Sequence, residues 1–265
     1  MWFSFILTIK LNFFSLNTLH KHPYAERNFI MQFDIHTHTI ASGHGTSCTI
    51  ADMAKNAHLK GLSLVGITDH GPATRSAGTP SYFRSLFYAP RYRCGVRVLY
   101  GAELNILDNH GAVDLDDDIL SHLDYAIISM HTQNKVPGSI DENTQAYIEA
   151  MNHPNIKLIG HCDDAKYPVN YKKLVQAAHE HHVLLEINEA SLTPNGYRGD
   201  TRANNIEMLY WCKTYQHPIV LSSDSHGPDH VGDFIYGLQL LEEIQFPQEL
   251  VLNHRLADLL SYLRR

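Results

Sequence analysis

Six side chains of types that commonly bind metal ions each end an apolar run of the chain. They follow one another at steps of 34, 33, 28, 30 and 63 residues, and they are His36, His70, Glu103, His131, His161 and Asp224. One β-strand with its crossover helix occupies roughly 30 residues or more, so this spacing follows a βα repeat. A further apolar run, VLLEIN, divides the longest step at Glu186. Because the carboxyl ends of the strands meet on one face of a βα barrel, the spacing predicts that these side chains share one pocket.

Two of the six positions extend into pairs of ligands. The segment His36-Thr37-His38 carries two imidazoles, and Asp224-Ser225-His226 carries a carboxylate and an imidazole. Alternate side chains of a strand point to the same face, so each pair can reach one ion. The first and last strands become neighbours when a barrel closes, which would bring the two pairs together. His44, in the glycine-flanked loop SGHGTS, can fold back over the same strand ends.

Buried imidazoles and carboxylates need partners, or they cost stability. Seven histidines and two carboxylates on one rim would be difficult to satisfy without cations, so the sequence predicts a metal centre. Eight other histidines are expected at helix ends, in loops or on helix surfaces: His58, His110, His122, His153, His179, His181, His182 and His217.

The apolar runs predict the elements that position these side chains. Strands are expected near residues 32–37, 63–68, 96–104, 124–130, 156–161, 183–188 and 218–223. Helices are expected after Asn170, over a stretch in which Ile206, Leu209 and Tyr210 face inward, and over the terminal LADLLSYLRR. This order is typical of the α/β class, and it predicts a single-domain, TIM-like (β/α)7 barrel with seven strands.

Composition narrows the class of protein. A chain of 265 residues with 44% hydrophobic and 18% charged residues suits one soluble α/β domain. The net charge of −7, without a Lys/Arg block longer than two residues, disfavours long nucleic acid as a partner. Four scattered cysteines without a C-x-x-C pair indicate reduced thiols, as in a cytoplasmic protein. No membrane association is expected, and the sequence leaves homo-oligomerisation open.

Residues 1–30 differ from the rest of the chain. Their apolar stretch FSFILTI is broken by Lys10 and Asn12 and is too short to span a bilayer. It also lacks the basic region and the A-x-A site of a secretory signal. We predict that residues 1–30 are an N-terminal extension outside the fold and that the domain occupies residues 31–265.

The motifs FDIHTHT, GITDHGP, GAELNIL, ISMH, GHCDD and LSSDSH resemble those of the PHP (polymerase and histidinol phosphatase) superfamily. Their order and the segment SLTPNGYRGDTRAN are most similar to its stand-alone, YcdX-type phosphatase branch. The resemblance covers about residues 31–265 and implies a distorted seven-stranded barrel with three divalent metal ions, usually zinc, with manganese or iron as alternatives. This branch commonly has proline after the histidine of strand five, where this chain has Cys162, which we expect to pack as a small apolar residue.

The resemblance also implies a division of the ligands. The first ion would take His36, His38, Glu103 and Asp224, the second His131 and His161 with Glu103 as a shared bridge, and the third His44, His70 and His226. The implied reaction is hydrolysis of phosphate monoesters by a metal-bound hydroxide held by Glu103 and Asp224. Without a G-x-S-x-G motif, nothing in the sequence suggests an acyl-enzyme route.

Other residues are expected to support this reaction. Asp69 could orient the neighbouring imidazole of His70. Arg75, Arg198 and Arg202 could bind phosphate oxygens of a small phosphorylated substrate. Sugar phosphates, histidinol phosphate and nucleotides all remain open as substrates. Two alternatives also remain open: a PHP-type nuclease or phosphodiesterase, and a non-catalytic metal-binding module.

Overall fold

The computed structural model describes residues 30–194 and 196–264. Eight strands form one sheet: β1 (Phe33–Asp34), β2 (Leu64–Ile67), β3 (Tyr92–Arg93), β4 (Val96–Asn105), β5 (Tyr125–Ser129), β6 (Ile156–Ile159), β7 (Leu184–Asn188) and β8 (Ile219–Ser222). Seven of them pair in parallel in the order β1-β2-β4-β5-β6-β7-β8, and β3 pairs antiparallel with β4 outside this path. The parallel strands are buried along nearly their whole length, as expected for strands covered on both faces.

The barrel closes between its first and last strands. Thr37 and Ser225 form a parallel bridge just beyond β1 and β8. The backbone N–H of His38 donates to the carbonyl of Ser225 at 2.9 Å, and that of Asp224 donates to the carbonyl of His36 at 3.0 Å. The prediction of a single-domain barrel with seven parallel strands is confirmed. The proposed extension lies outside the described residues, apart from Ile30, and the boundary at residue 31 stays a prediction.

Helices surround the strands: α1 (Ile50–Leu59), α2 (Pro80–Ser85), α3 (Asp117–Leu120), α4 (Ile140–Ala150), α5 (Tyr171–His181), α6 (Glu189–Leu192), α7 (Thr201–Tyr215), α8 (Ile235–Glu243) and α9 (Leu256–Leu263). Asn170 caps α5, since its side chain accepts a hydrogen bond from the backbone N–H of Lys173. The longer helices α1 and α4 begin with complete capping boxes at Thr49 and Ser139. These local signals fix where each helix starts after the loop that carries site residues.

Two apolar layers hold the barrel together. The larger one lies between the strands and the surrounding helices, and it includes Cys162, whose sulfur lies 3.5 Å from that of Met208. Cys162 therefore packs as a small apolar residue, as predicted. The smaller layer fills the barrel interior around Phe33 and Tyr125. Helix α9 contributes Leu259 and Leu263 to it, so the predicted terminal helix covers the end of the barrel opposite the candidate site.

The predicted inward face of α7 is wrong for two of its three residues. Leu209 is fully buried, but Ile206 and Tyr210 are exposed over 38% and 61% of their surface. The buried face instead carries polar residues, Thr201 and Asn205, beside Met208 and Cys212. The apolar periodicity therefore predicted the wrong buried face of α7. Asn205 is held in the interior by a 2.6 Å hydrogen bond to Asp163.

His217 was expected at the surface, but it is fully buried at the end of α7. Neither ring nitrogen makes a hydrogen bond of good geometry. Burial, reinforced by the nearby imidazole of His179, lowers the pKa of His217 to about 3. The prediction of a solvated loop histidine was wrong. Pro218 and β8 follow His217 directly, and the ring is therefore buried between the strands and the helices.

Acid should therefore destabilise the protein through His217. The folded state binds this proton only near pH 3, whereas the unfolded chain binds it below about pH 6.5, so stability is lost as the pH falls through that window. This group should cost about 2 kcal/mol between pH 7 and pH 5. We expect urea unfolding of His217→Phe to show a smaller loss over that range than the wild type. Equal losses in the two proteins would contradict the assignment.

Candidate metal centre

The nine predicted ligands come together at the carboxyl ends of the strands. Each lies at or just beyond a strand end or in the loop after β1, so the βα repeat gathers residues from position 36 to position 226 into one place. Six of these nine side chains are nearly or fully buried, whereas His131 and His226 are partly exposed and His44 is exposed. Three groups have ligand atoms within 4.8 Å of one another: His36, His38 and Glu103; His38, His70 and His226; and His70, Glu103 and His131.

Glu103 lies at the middle of this arrangement. Its Oε2 is 2.6 Å from Nδ1 of His70 and 3.5 Å from Nε2 of both His36 and His38. Its Oε1 is 2.8 Å from Nε2 of His161 and 3.5 Å from Nε2 of His131. The two oxygens of one carboxylate therefore face two different sets of imidazoles.

Asp224 approaches the first pair of histidines from the other side. Its Oδ1 lies 3.0 Å from Nε2 of His38 and 3.6 Å from Nε2 of His36. The pairing of β1 with β8 produces this contact, as the two short motifs predicted. His36, His38, Glu103 and Asp224 thus surround one point in the barrel mouth.

A stack of imidazoles forms the outer side of the centre. The ring of His226 lies 4.2 Å from that of His38 and 5.1 Å from that of His44, measured between centroids. The ring of His44 is 4.9 Å from that of His70. Glycine-rich backbone permits this approach, since Gly43 and Gly45 on either side of His44 have φ of 81° and 75°.

Several of these side chains make no hydrogen bond of acceptable geometry through one ligand atom, even where two such atoms lie close together, as Nδ1 of His70 and Oε2 of Glu103 do. The atoms are Nε2 of His36, His38 and His226, Nδ1 of His70 and His161, and Oε2 of Glu103. An unpartnered buried polar atom is costly, and five of these six side chains belong to the groups whose ligand atoms lie within 4.8 Å of one another. The donor set, imidazole with carboxylate, is the one that borderline divalent cations prefer. The residues present therefore fit a cluster of such ions.

The electrostatics prepare the same site for cations. Burial alone would raise the pKa of Glu103, but the imidazoles of His70, His36 and His131 hold it well below its usual range. Burial would likewise raise the pKa of Asp224, and His36 and Arg198 keep it well below the ordinary value. Burial lowers the pKa of His131 to about 4. Ionised carboxylates and a neutral imidazole are the forms that bind metal ions. Burial alone would lower the pKa of His36 and His70, but the neighbouring carboxylates raise it, so these two imidazoles would lose a proton when they bind an ion.

Two predicted ligands occupy strained backbone. His161 has φ of 27° and Asp224 has φ of 52°, a region that residues other than glycine seldom adopt. Both follow the last residues of a strand, β6 or β8, at the point where the chain turns into its loop. Strain of this kind persists only where surrounding contacts enforce it, and it is common at functional sites.

Polar residues behind the centre hold the imidazoles in place. Ser42 Oγ lies 2.8 Å from Nδ1 of His38 and donates to Asp69, whose carboxylate also accepts from Thr39 and Tyr82. Asp69 is therefore linked to His38 through Ser42, whereas the prediction placed it against the imidazole of His70. Asn105 Oδ1 lies 2.8 Å from Nδ1 of His131. Sequence analysis missed Ser42 and Asn105, since neither stands out by type or spacing.

The three predicted phosphate-binding arginines lie in different places. Arg198 is buried beside the centre and donates to Asp224 Oδ2 at 3.0 Å and to Ser191 Oγ at 3.0 Å. It lines a cavity of about 110 Å³ together with Lys166, Tyr197, His131 and His226. Arg75 is exposed and does not line that cavity. Arg202 pairs with Glu243 on the outer surface.

Comparisons with known proteins agree with this geometry. The model of the PHP domain family matches residues 34–192, which is more than half of the chain. The chain belongs to the PHP domain family. A relative from Clostridium novyi named as a probable phosphatase is 38% identical over 87% of this chain and 93% of its own length. Another probable phosphatase, from Caldicellulosiruptor saccharolyticus, is 38% identical over 88% of this chain and 96% of its own.

Solved structures support the PHP fold. The histidinol phosphate phosphatase of Lactococcus lactis, solved with zinc, L-histidinol and phosphate, superposes with a TM-score of 0.54. The match covers 83% of this chain and 94% of that one, at 17% identity, and it therefore supports the fold alone. Within the residues that the structure describes, no helix has the length and apolar character needed to cross a membrane.

Proposed function

We propose that this PHP phosphatase hydrolyses small phosphate monoesters at a trinuclear centre of divalent metal ions. The observation that carries the proposal is the convergence of nine imidazole and carboxylate side chains, six of which have a ligand atom without a hydrogen bond of acceptable geometry. The first ion is assigned to His36, His38, Glu103 and Asp224, the second to His131, His161 and Glu103, and the third to His44, His70 and His226. Zinc is the preferred ion, with manganese or iron as alternatives, because imidazoles dominate the set.

The zinc in the Lactococcus lactis protein agrees with this choice. Divalent ions in such a cluster supply water activated to hydroxide near neutral pH, a polarised phosphoryl group and compensation of its developing negative charge. The protein's own residues hold the ligand side chains in position and exclude other arrangements of them. Glu103 does most of this, because its two oxygens face separate groups of imidazoles and can be shared between two ions.

The small cavity over the histidines suits the phosphate group. Arg198 presents a guanidinium in its wall, fixed by Asp224 and Ser191, and Lys166 adds a second cation at the exposed rim. Planar guanidinium groups bind phosphate oxygens through paired hydrogen bonds. We assign Arg198 to the substrate's phosphate and leave Arg75 and Arg202 outside this role, because neither lines the cavity.

The charge of the protein favours small substrates. A net charge of −7, without a Lys/Arg block longer than two residues, does not offer the long basic groove that a nucleic-acid strand requires. We therefore favour a small phosphorylated metabolite over a nuclease substrate. With reduced thiols as predicted, the proposed place of the reaction is the cytoplasm.

Hydrolysis of a chromogenic phosphate monoester tests the proposal. The protein, purified without chelator, should release the chromophore, lose the activity when its ions are removed, and regain it when zinc or manganese is restored. Loss of activity on metal removal is expected because the ions supply the activated water and the compensation of developing charge. Metal-loaded protein that is inert to both phosphate monoesters and diesters would overturn the proposal and favour a non-catalytic metal-binding module.

A further inference from the structure

A third buried carboxylate, Glu186, lies against the ligands without belonging to the predicted set. It lies in the middle of β7, the one parallel strand that supplies no ligand to the proposed ions, and it is 1% exposed. Its Oε1 lies 2.7 Å from Nδ1 of His36. Its Oε2 accepts hydrogen bonds from the backbone N–H of His161 at 2.8 Å and from Asn188 Nδ2 at 2.9 Å.

The orientation of the His36 ring shows that Glu186 contacts a different edge of the ring from the two carboxylate ligands. The Nδ1 edge of the ring faces Glu186, whereas the Nε2 edge faces Glu103 and Asp224 at 3.5 and 3.6 Å. An imidazole that donates through one nitrogen has its tautomer fixed and presents the lone pair of the other nitrogen to a metal ion. Glu186 is therefore placed to orient a ligand from behind.

The same carboxylate also supports a second ligand. His161 occupies strained backbone with φ of 27°, and its N–H is held by Glu186 Oε2. Asn188, which donates to that oxygen, donates from the same nitrogen to Asp224 Oδ2 at 3.2 Å. Two residues of β7 thus connect ligands from the ends of β1, β6 and β8.

We propose that Glu186 is a positioning residue of the metal centre, which fixes His36 with its proton on Nδ1 and holds the backbone of His161. This inference rests on the proposed function. A carboxylate is required because both oxygens accept hydrogen bonds, with donors on each. Glutamine would place an NH2 group against at least one of those donors, so it keeps the volume and loses the arrangement.

The test compares Glu186→Gln with Glu189→Gln. Glu189 follows three residues later and is also a largely buried carboxylate, but it accepts from the backbone N–H groups of Tyr236 and Gly237 at the start of α8. Zinc affinity is measured by competition with a chromogenic chelator, and folding by circular dichroism. We expect zinc binding at the tightest site to weaken roughly 10- to 100-fold in Glu186→Gln and to stay unchanged in Glu189→Gln.

Nitrogen NMR of the histidine side chains provides a second measurement, on the wild-type protein itself. It should show a proton on Nδ1 of His36, and a ring protonated on Nε2 alone would overturn the proposal even if Glu186→Gln fails to fold. Equal zinc affinity in a folded Glu186→Gln and the wild type would also overturn it. A wild type that binds no zinc or other divalent ion would instead remove the proposed function, and the tautomer of His36 would still decide the contact with Glu186.

Discussion

Replacing Glu103 with glutamine should abolish hydrolysis and reduce the number of bound metal ions while the barrel stays folded. The change keeps the volume of the side chain but removes the charge that both groups of imidazoles face. A unit charge about 4 Å from a cation contributes about 4 kcal/mol at an effective dielectric constant of 20. Loss of that interaction corresponds to roughly a thousandfold in metal affinity or rate. Activity, metal content and circular dichroism together measure the effect.

His44→Ala is the matched control for Glu103→Gln. His44 is the most exposed of the nine side chains and belongs to none of the three groups whose ligand atoms lie within 4.8 Å. Its removal should lower metal content less than the change at Glu103. If Glu103→Gln retained full metal content and normal turnover, the assignment of Glu103 as a bridge would be wrong.

Arg198→Ala should impair both the stability and the catalytic efficiency of the protein. The guanidinium is buried and pairs with Asp224, and breaking a buried ion pair from one side costs roughly 3–5 kcal/mol. That loss should appear in urea unfolding of the metal-free protein, where no metal ion lies beside Asp224. In the loaded enzyme, loss of the phosphate contact should lower kcat/KM about 10- to 100-fold, mainly through KM, because hydrogen bonds to charged groups contribute about 1.5–3 kcal/mol.

Arg202→Ala provides the control for this prediction. Arg202 lies four residues later, on the surface, where its partner is Glu243. Exposed ion pairs contribute about 0–1 kcal/mol, so both stability and kcat/KM should change little. Arg198→Ala with wild-type stability and KM would show that the buried guanidinium is neither a support for Asp224 nor a phosphate contact.

The features that sequence predicted best follow from the backbone repeat. A strand end recurs about every 30 residues, so the phase of His36, His70, Glu103, His131, His161 and Asp224 was enough to place them on one rim. The closure of β1 on β8 was foreseeable from the two ligand pairs, since a barrel brings the first and last strands together. The seven parallel strands followed from apolar runs that are buried on both faces.

Long-range partners were not foreseeable from local pattern. Asp69 precedes His70 in the chain, yet its hydrogen bonds run to Ser42, Thr39 and Tyr82, which the loop after β1 and helix α2 bring across from other parts of the chain. Glu186 follows the same βα spacing as the predicted ligands. Only the orientation of the His36 ring in the structure shows which edge of that ring Glu186 contacts.

The prediction of the buried face of α7 failed for a related reason. Periodicity counts apolar side chains, and it cannot register that Asn205 is held inside by Asp163. The environment of His217 was also predicted wrongly, because a histidine between a helix and a strand stands where a loop residue is expected. Both errors concern polar residues whose burial depends on tertiary contacts, and propensity does not encode such contacts.

The most direct test of a trinuclear centre is the metal content of the purified protein. Inductively coupled plasma mass spectrometry on protein prepared without chelator should find close to three divalent ions per chain, predominantly zinc. More than one equivalent is required if Glu103 is shared between ions, since its two oxygens face different imidazoles. A single magnesium ion, or no metal at all in active protein, would contradict the account.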